Sequence, residues 1–428
     1  MSNQEAGRYW GEQWILPRRE VLKRLAAGAA LGTLGGKWLG ATAQEALGDE
    51  AFWDQVKEQF PMRPGLVMMN AANLCPTHYP VLESLFGLTR DLDGDVSFQN
   101  RAKFAPAKDE ARSRLAAYVG ADPQEIAITR NTTEANNIIV NGLDLAAGDE
   151  VLVWGENHPS NLMAWEVRAR RLGFAVKQVE TPAGTLSAEV LREHFLENLT
   201  PRTRVLAVSH VSNVSGIGLP IRSLCEACRD RNILTLVDGA QTLGALSLDL
   251  HDMGCDFFTG SLHKWPMGPK ETGLLYVRRG SADNVWPSMV SVGYDAAEGE
   301  GALKFETYGQ RDDSAVAAIV PAMDFLDSIG KEKVEARVRA IVARLRRGIE
   351  AIPGVSILTP PDPAINAGIL IFSLRGIAGS DAFEALYRDH DVGSAPAGLV
   401  DGVRLSPHIY NTMADADRVL EALREITG

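Results

Sequence analysis

The stretch Leu234-Thr235-Leu236-Val237-Asp238-Gly239-Ala240-Gln241 decides the class of fold. Its apolar and β-branched side chains predict a buried strand, Ile233–Val237, and the carboxylate of Asp238 follows directly at the strand end. A buried carboxylate is costly unless a cation or strong donor meets it, so we expect a positive group to face Asp238.

Short β-branched runs alternate with helical patterns on both sides of this stretch. The other predicted strands are Glu125–Thr129, Glu150–Val153, Phe174–Val179, Arg204–Ser209, Asp256–Thr259 and Gly273–Val277. The predicted helices between them are Thr133–Gly142, Ser160–Leu172, Ala188–Glu197 and Ile221–Arg231. Such alternation is typical of βαβ units, in which helices flank both faces of a mostly parallel sheet. The sequence therefore predicts an α/β fold.

The pattern changes after residue 312. The elements expected there are a helical stretch broken near Gly330 (Ser314–Ile352), strands at Val355–Leu358 and Ala367–Leu374, and helices at Asp381–Arg388 and Ala414–Ile426. We interpret this part as a smaller α+β domain.

Composition excludes several classes of protein. The chain has 428 residues and a formal net charge of −12, with 23% charged and 45% hydrophobic residues, which is ordinary for a folded globular protein. A negative net charge argues against nucleic-acid binding, which needs a basic surface. The cysteines, Cys75, Cys225, Cys228 and Cys255, are too few and scattered for a disulfide framework. Nothing after residue 45 is long and apolar enough to span a membrane.

The first 43 residues have the layout of an export signal. Arg18-Arg19 is followed by Glu20-Val21-Leu22-Lys23, a weakly hydrophobic Ala/Gly/Leu stretch and Ala41-Thr42-Ala43. This layout resembles a twin-arginine (Tat) signal. An amphipathic helix is the alternative, but the many glycines disfavour it. We expect export to the periplasm by the Tat machinery, which carries folded proteins that often hold a cofactor.

We therefore divide the chain into four parts. They are a Tat signal peptide (1–43), an N-terminal segment (44–90), a large domain (91–311) and a small C-terminal domain (312–428).

The predicted strand ends carry polar side chains, and in open α/β sheets ligands bind beyond those ends. Thr132 and Thr133 open a helix, where backbone N–H groups and the helix dipole favour a phosphate, although threonine is also a common helix cap. Other strand ends carry His158, Asn213, Gln241, Ser261 and His263. A lone histidine at such a place is more often structural than catalytic, but here it belongs to an ordered set.

Lys264 is the candidate nucleophile of this set. A lysine in a partly dry pocket loses its proton more readily and attacks carbonyl groups, whereas an ordinary solvated lysine is the alternative. Each group of this set has a counterpart in pyridoxal 5′-phosphate (PLP). The hydroxyls match the phosphate, the histidine matches the ring, and the carboxamides match the phenolic oxygen. The carboxylate matches the ring nitrogen, and the lysine matches the aldehyde. We therefore predict PLP as the cofactor and expect no metal.

On these residues the chain resembles the class V aminotransferases of PLP fold type I, a family that includes cysteine desulfurases, isopenicillin N epimerase-like proteins and C–S lyases. The resemblance covers roughly residues 65–428. It implies that Lys264 forms the Schiff base, that Asp238 keeps the pyridine nitrogen protonated and that His158 stacks on the ring. It also implies cofactor contacts by Thr132, Thr133, Asn213, Gln241, Ser261 and His263.

Two further segments match the family. Tyr308-Gly309-Gln310-Arg311-Asp312 resembles a loop, usually Gly-Thr-Arg-Asp, that reaches the phosphate of the neighbouring subunit, which implies a homodimer. Gly309 and Gln310 are then cofactor contacts, with Gln310 in place of the threonine. Arg404 matches the arginine that binds the substrate α-carboxylate, a bidentate task that suits guanidinium. Outside this pattern it would be an ordinary surface arginine.

The resemblance implies transamination of an amino acid or of the amino-acid part of a peptide. Epimerase and C–S lyase activities are the alternatives, because the same carbanion serves all three, and a non-enzymatic PLP-binding protein is disfavoured by the complete catalytic set. Residues Val392–Leu399 contain no cysteine, which argues against a persulfide mechanism.

Two features remain outside this assignment. Cys225 and Cys228 form a C-x-x-C motif that invites a redox interpretation, but their spacing fits one turn of a core-facing helix, which we expect.

The combination of a Tat signal with a class V enzyme is similar to the periplasmic transaminases of pyoverdine siderophore maturation.

Overall fold

The computed structural model describes residues 49–428, so the predicted Tat signal lies outside the described residues. The strands are β1 Val67–Met68, β2 Ile126–Thr129, β3 Glu150–Trp154, β4 Ala175–Val179, β5 Thr203–Ser209, β6 Leu234–Asp238, β7 Phe257–Ser261, β8 Gly273–Val277, β9 Val355–Ile357, β10 Leu370–Leu374, β11 Val392–Gly393, β12 Ala395–Pro396 and β13 Val403–Leu405.

The α-helices cover the sheets and connect their strands. They are α1 Glu50–Lys57, α2 Tyr79–Gly94, α3 Phe98–Arg101, α4 Phe104–Val119, α5 Thr132–Gly142, α6 Pro159–Leu172, α7 Ala188–Asn198, α8 Ile221–Arg229, α9 Leu250–Met253, α10 Tyr294–Ala297, α11 Asp313–Ala317, α12 Ile319–Ile329, α13 Lys331–Glu350, α14 Gly379–His390 and α15 Met413–Thr427. None of these helices has the length and apolar character needed to cross a bilayer, within the range that the structure describes.

A seven-stranded sheet holds the predicted strand ends together. Its order is β2-β8-β7-β6-β5-β3-β4. Strand β8 is antiparallel to both of its neighbours, and all other pairs are parallel. Because helices cover both faces, β2, β3, β7 and β8 are buried along their whole length, as expected for the interior of an α/β sheet. The predicted α/β fold class is confirmed.

The C-terminal part is built on a four-stranded antiparallel sheet, β12-β13-β10-β9. Side chains of α13 and α15 fill the core beneath it, with Leu345, Leu370 and Leu420 fully buried. Strand β1 pairs in parallel with β11, and Asn70 bridges to Ser406, so the N-terminal segment is built into this C-terminal part. The three predicted boundaries between the four parts of the chain stay predictions.

Most predicted elements agree with the structure to within one or two residues. The strand predicted at Ala367–Leu374 begins only at Leu370, because Gly368 packs against the ring of Trp265, where an added Cβ would lie 2.6 Å from a ring atom. The predicted break near Gly330 is present, and this residue has a φ of +92° between α12 and α13. Helices α1 to α4 have no counterpart in the sequence prediction.

Candidate active site

The carboxyl ends of the parallel strands surround a pocket with an empty volume of about 580 Å³. Its lining residues are Asn131, Thr132, Thr133, His158, Ser160, Ser209, Val211, Asn213, Asp238, Ala240, Gln241, Ser261, His263 and Lys264. Of the predicted site residues, Gly309, Gln310 and Arg404 are not in this lining. The strand-end argument therefore predicted most of the pocket.

Asp238 ends β6 and is 3% exposed. Its Oδ2 accepts from Nδ2 of Asn136 at 2.9 Å, and its Oδ1 accepts from the backbone N–H of Ala240 at 3.0 Å. Asn136 is itself oriented by the hydroxyl of Thr259, which donates to its Oδ1 at 2.8 Å. Within residues 49–428 no lysine, arginine or histidine forms an ion pair with Asp238, so the expected cation is not a salt-bridge partner from this part of the chain.

The start of helix α5 lies beside the end of β7. The backbone N–H of Thr132 donates to Oγ of Ser261 at 2.9 Å, and the two hydroxyls are 2.7 Å apart. Asn131 caps the helix by accepting from the backbone N–H of Glu134 at 2.9 Å. Gly273 on β8 permits this approach, since a Cβ there would lie 2.8 Å from the backbone nitrogen of Asn131. The hydroxyls of Thr132 and Ser261 at a helix N-terminus form a suitable site for a phosphate.

Lys264 is partly buried three residues after the end of β7. Burial lowers the pKa of its amine and the charge of Arg404 lowers it further, while Asp238 acts in the opposite direction. His263 beside it has a pKa lowered to about 4 by burial and by the charges of Lys264 and Lys270, so its ring is neutral at pH 7. A lysine that loses its proton more easily is a better nucleophile and base.

His158, an exposed residue, lies at the start of helix α6. Its Nδ1 accepts from the backbone N–H of Ser160 at 3.2 Å and lies 2.7 Å from the Ser160 hydroxyl. Although the residue as a whole is exposed, its ring is partly buried in the pocket wall. This partial burial and the charge of Lys264 lower the pKa of His158, which favours the neutral ring. The side chain is therefore held by one nitrogen, and its ring is available to the pocket.

Gln241 has both ends of its side-chain amide engaged. Its Nε2 donates to the backbone oxygen of Ala72 at 3.0 Å, and its Oε1 accepts from Nε1 of Trp265 at 2.9 Å. Ala72 belongs to the N-terminal segment, which thus forms part of the pocket wall.

Arg404 lies on β13 beside the pocket and is 9% exposed. Its guanidinium donates to the backbone oxygen of Asn213 and to Oδ1 of Asn70, each at 3.1 Å. Burial lowers its pKa to about 10, which leaves it charged at neutral pH. Its Nε has no partner within the described chain, so the group retains a donor for an anion.

Gly309 and Gln310 lie away from this pocket in the same chain. Oε1 of Gln310 accepts from Arg101 at 2.6 Å. Gln310 also lines a second cavity, of about 1360 Å³, together with Arg130 and Lys270. The sequence-based prediction assigned this loop to the neighbouring subunit's site, and that assignment stays a prediction.

The residues of the pocket fit PLP. Thr132, Ser261 and the N-terminus of α5 offer a cradle for phosphate, and Lys264 offers an amine for the aldehyde. Asp238 keeps a buried carboxylate with no ion-pair partner among residues 49–428, which suits a protonated pyridine nitrogen. These are different chemical groups, and each has a counterpart in the cofactor.

The sequence analysis missed one part of the site and one buried carboxylate outside the pocket lining. The segment Asn70–Cys75 contacts Arg404 through Asn70 and Gln241 through Ala72, and the N–H of Cys75 donates to the backbone oxygen of His263 at 3.0 Å. Glu156 is 6% exposed and accepts from the hydroxyls of Thr181 and Ser215. The Asn-Ala-Ala run after β1 was the one available signal for the first part.

The cysteines take no part in the pocket lining. Cys225 and Cys228 lie on α8 and are 2% and 0% exposed, and burial raises the pKa of both thiols to about 12. This fits the core-packing interpretation and leaves no reactive thiolate at neutral pH. Cys75 is equally buried, 3.5 Å from the hydroxyl of Tyr410.

Comparisons with known proteins agree with this geometry. Residues 78–419 match the family model described as aminotransferase class-V. The chain is 31% identical to isopenicillin N epimerase of Amycolatopsis lactamdurans over 398 residues, which covers 88% of this chain and 98% of that relative. It is 32% identical to a probable cysteine desulfurase of Pseudomonas aeruginosa, and this match covers 84% of this chain and 93% of that relative.

Solved structures show the same fold. A mutant of C-DES with glycine covalently linked to the PLP cofactor superposes with a TM-score of 0.78 at 25% identity, covering 86% of this chain and 99% of that one. A complex of the cystine C–S lyase C-DES with its product cysteine persulfide gives 0.77 at the same identity and coverage.

Proposed function

The chain belongs to the class V aminotransferase family and is a PLP-dependent enzyme, and from this premise we propose that it transaminates an amino acid, free or within a peptide. The carrying observation is geometric: Lys264 and Asn213 line the same pocket, and the guanidinium of Arg404 donates to the backbone oxygen of Asn213 at 3.1 Å. An amino acid presents an α-carboxylate and an α-proton, which are the groups that Arg404 and Lys264 serve.

The side chains divide the chemistry among them. PLP, when bound, supplies an electron sink for the substrate α-carbon. Asp238 holds a proton at the pyridine nitrogen, and Lys264 takes the proton from the α-carbon. Arg404 orients the carboxylate, and His158 stacks on the ring.

Transamination is supported over epimerisation by the titratable groups of the pocket. Epimerisation needs proton return to the opposite side of the α-carbon, and the lining residues other than Lys264 that titrate are His158, His263 and Asp238. These three are assigned to the ring face, the phosphate and the ring nitrogen. Epimerisation is the second candidate, because relatives named isopenicillin N epimerase are 31% and 30% identical to this chain. C–S lyase activity is the third, from the likeness to C-DES.

One experiment separates these activities. Purified protein is incubated in D₂O with single amino acids and peptides, with and without a keto acid, and products are identified by mass spectrometry and chiral chromatography. Transamination gives a keto acid and a new amino acid, epimerisation gives deuterated substrate of inverted configuration, and lyase action releases sulfur. Inverted substrate with no keto acid would overturn the proposal.

We further propose a homodimer in which the loop at Gln310 serves the neighbouring site. Two exposed apolar side chains lie near this loop. Phe98 is 85% exposed, and Val292, which is 100% exposed, follows Ser291, whose hydroxyl would lie 3.7 Å from a Cβ at Gly309. Arg101 lies over the ring of Phe98 and donates to Gln310, which connects the apolar surface to the loop. Such exposure on a folded monomer marks an interface.

Light scattering tests this assembly. The wild type should have the mass of two chains, and F98D should lower the dimer fraction at micromolar concentration. Exposed Leu172 lies outside this surface, and L172D is the control. A wild-type monomer with full activity would contradict the proposal.

We also propose that the protein is exported by the Tat route and acts in periplasmic pyoverdine maturation. The support is the Arg18-Arg19 pair ahead of a weakly hydrophobic stretch, joined to a cofactor-dependent enzyme. A twin-lysine variant keeps the charge of this pair but not its guanidinium groups, so it should stay in the cytoplasm, folded and with PLP bound. A variant that is still fully periplasmic would rule out the Tat route.

A further inference from the structure

Trp265 directly follows Lys264 and is fully buried. Its indole Nε1 donates to Oε1 of Gln241 at 2.9 Å, and Nε2 of Gln241 donates to the backbone oxygen of Ala72 at 3.0 Å. Gln241 and Ala72 are 5% and 3% exposed, so water does not compete for these bonds.

These two contacts determine which way the amide of Gln241 is turned. An indole N–H can only donate and a backbone carbonyl can only accept. If the amide were flipped, two donors would face each other at Trp265 and two acceptors at Ala72. The observed orientation is therefore the one that satisfies both neighbours, and one hydrogen on Nε2 remains unused. Toward a ligand in the pocket that it lines, Gln241 can offer this hydrogen as a donor.

The indole is held in turn by the C-terminal part of the chain. The backbone oxygen of Trp265 lies 2.6 Å from Nε2 of His408, and the two rings are 5.3 Å apart at 75°. Burial lowers the pKa of His408 to about 4, so the ring is neutral at pH 7 and its proton sits on the nitrogen that faces the carbonyl. Gly368 lies against the outer edge of the indole, where an added Cβ would come within 2.6 Å of a ring atom.

We propose that Trp265 is a positioning residue that holds Gln241 as a hydrogen-bond donor to the phenolic oxygen of the cofactor. A donor favours the deprotonated, anionic form of this oxygen. Without the indole N–H, Oε1 of Gln241 loses its donor and only the bond to Ala72 holds the amide. The amide can then pivot about that bond, so the free hydrogen on Nε2 no longer points at the phenolic oxygen. The role is independent of whether the enzyme transaminates or epimerises, because it concerns the cofactor before substrate enters.

The test is a spectral titration of the PLP-bound protein without substrate. W265F removes the indole N–H, and the pKa measured from the cofactor absorbance should rise by about one unit, the size of one lost hydrogen bond to a charged group. The matched control is W154F, because Trp154 is also fully buried and its Nε1 donates to Thr181 outside the pocket lining, so its loss should leave the titration unchanged.

A double-variant cycle shows whether the effect passes through Gln241. Q241L should raise the same pKa, and adding W265F to Q241L should give no further shift. If W265F still shifts this pKa in the Q241L background, the proposal is overturned. It is also overturned if Q241L shifts the pKa while W265F alone leaves it at the wild-type value.

A second measurement needs neither the cofactor nor the W265F variant. In apoprotein labelled with ¹⁵N-tryptophan, Q241L should move one indole N–H resonance, that of Trp265, because it loses its acceptor. T181V should move a different one, that of Trp154. If no indole resonance responds to Q241L, the hydrogen bond does not exist in solution and the proposal fails.

Discussion

Two substitutions, D238N and N136D, can separate the hydrogen bonds of Asp238 from its negative charge. Asn136 is suitable because it is hydrogen-bonded to Asp238. Both oxygens of Asp238 accept from donors, one from Asn136 and one from the backbone of Ala240. In D238N the new amide has one acceptor only, so its nitrogen must face either the Asn136 amide nitrogen or the Ala240 N–H. An unsatisfied buried donor costs about 1–3 kcal/mol, so D238N should be less stable by that amount.

The double variant D238N/N136D restores every hydrogen bond. The carboxylate at 136 accepts from Thr259 and from the new amide at 238, and the amide oxygen at 238 accepts from Ala240. Stability should return to within about 1 kcal/mol of wild type, because no buried donor is left unpaired. The negative charge, however, now sits on helix α5 rather than at the end of β6.

Activity should not follow stability in this series. Loss of a charge-assisted hydrogen bond to the ring nitrogen should lower kcat/KM by about ten- to a hundredfold or more in D238N, and the double variant should stay equally low. Urea unfolding of the apoproteins gives the stabilities, and steady-state kinetics with saturating PLP gives the activities. A double variant that regains both would show that Asp238 acts through packing and hydrogen bonds, and would refute its assigned role.

Three further outcomes are expected. K264A should fold like the wild type but lose the borohydride-reducible link to PLP, seen as a missing mass adduct; an adduct on another lysine would contradict the assignment of Lys264. R404K should raise KM for an amino-acid substrate by about ten- to a hundredfold with a smaller change in kcat, since an ammonium lacks the bidentate geometry, whereas R418K on the surface should change neither. Because the folded-state pKa of His408 is lowered to about 4, its contribution to stability is present above pH 6.5 and is lost as pH falls toward 4. Between pH 7 and pH 5 the free energy of unfolding, measured by urea denaturation, should therefore fall by about 2 kcal/mol less in H408Q than in the wild type. An equal fall in both proteins would contradict the buried neutral ring.

Local pattern was enough to predict the large sheet and the residues at its strand ends. Strand β6 has an apolar run followed by a carboxylate, and this pattern is visible within one short stretch of sequence. Because parallel strands bring their carboxyl ends to one edge, Thr132, Asp238 and Lys264 could be placed together without knowing the strand order.

Other contacts could not be predicted, since they join residues that are distant in sequence. Strands β11 to β13 have two or three residues each, too few for an alternation to be visible. The hydrogen bond between Trp265 and Gln241 depends on the path of the turn after Lys264. The hydrogen bond between Arg404 and Asn70 depends on how the segment at Asn70 packs against strand β13. Gln310 could be matched to a family loop, but its place relative to a neighbouring site depends on a second chain.

The pairing of residues 67–70 with the C-terminal part has a consequence for biosynthesis. Asn70 and its partner Arg404 are 334 residues apart, and β1 finds its partner β11 only when nearly the whole chain has been made. During translation, residues 67–70 therefore stay unpaired until almost the whole chain has been synthesised. A competent cofactor site can thus form only after synthesis, and a chain threaded through a membrane from its N-terminus would lose this segment to the far side before its partner existed.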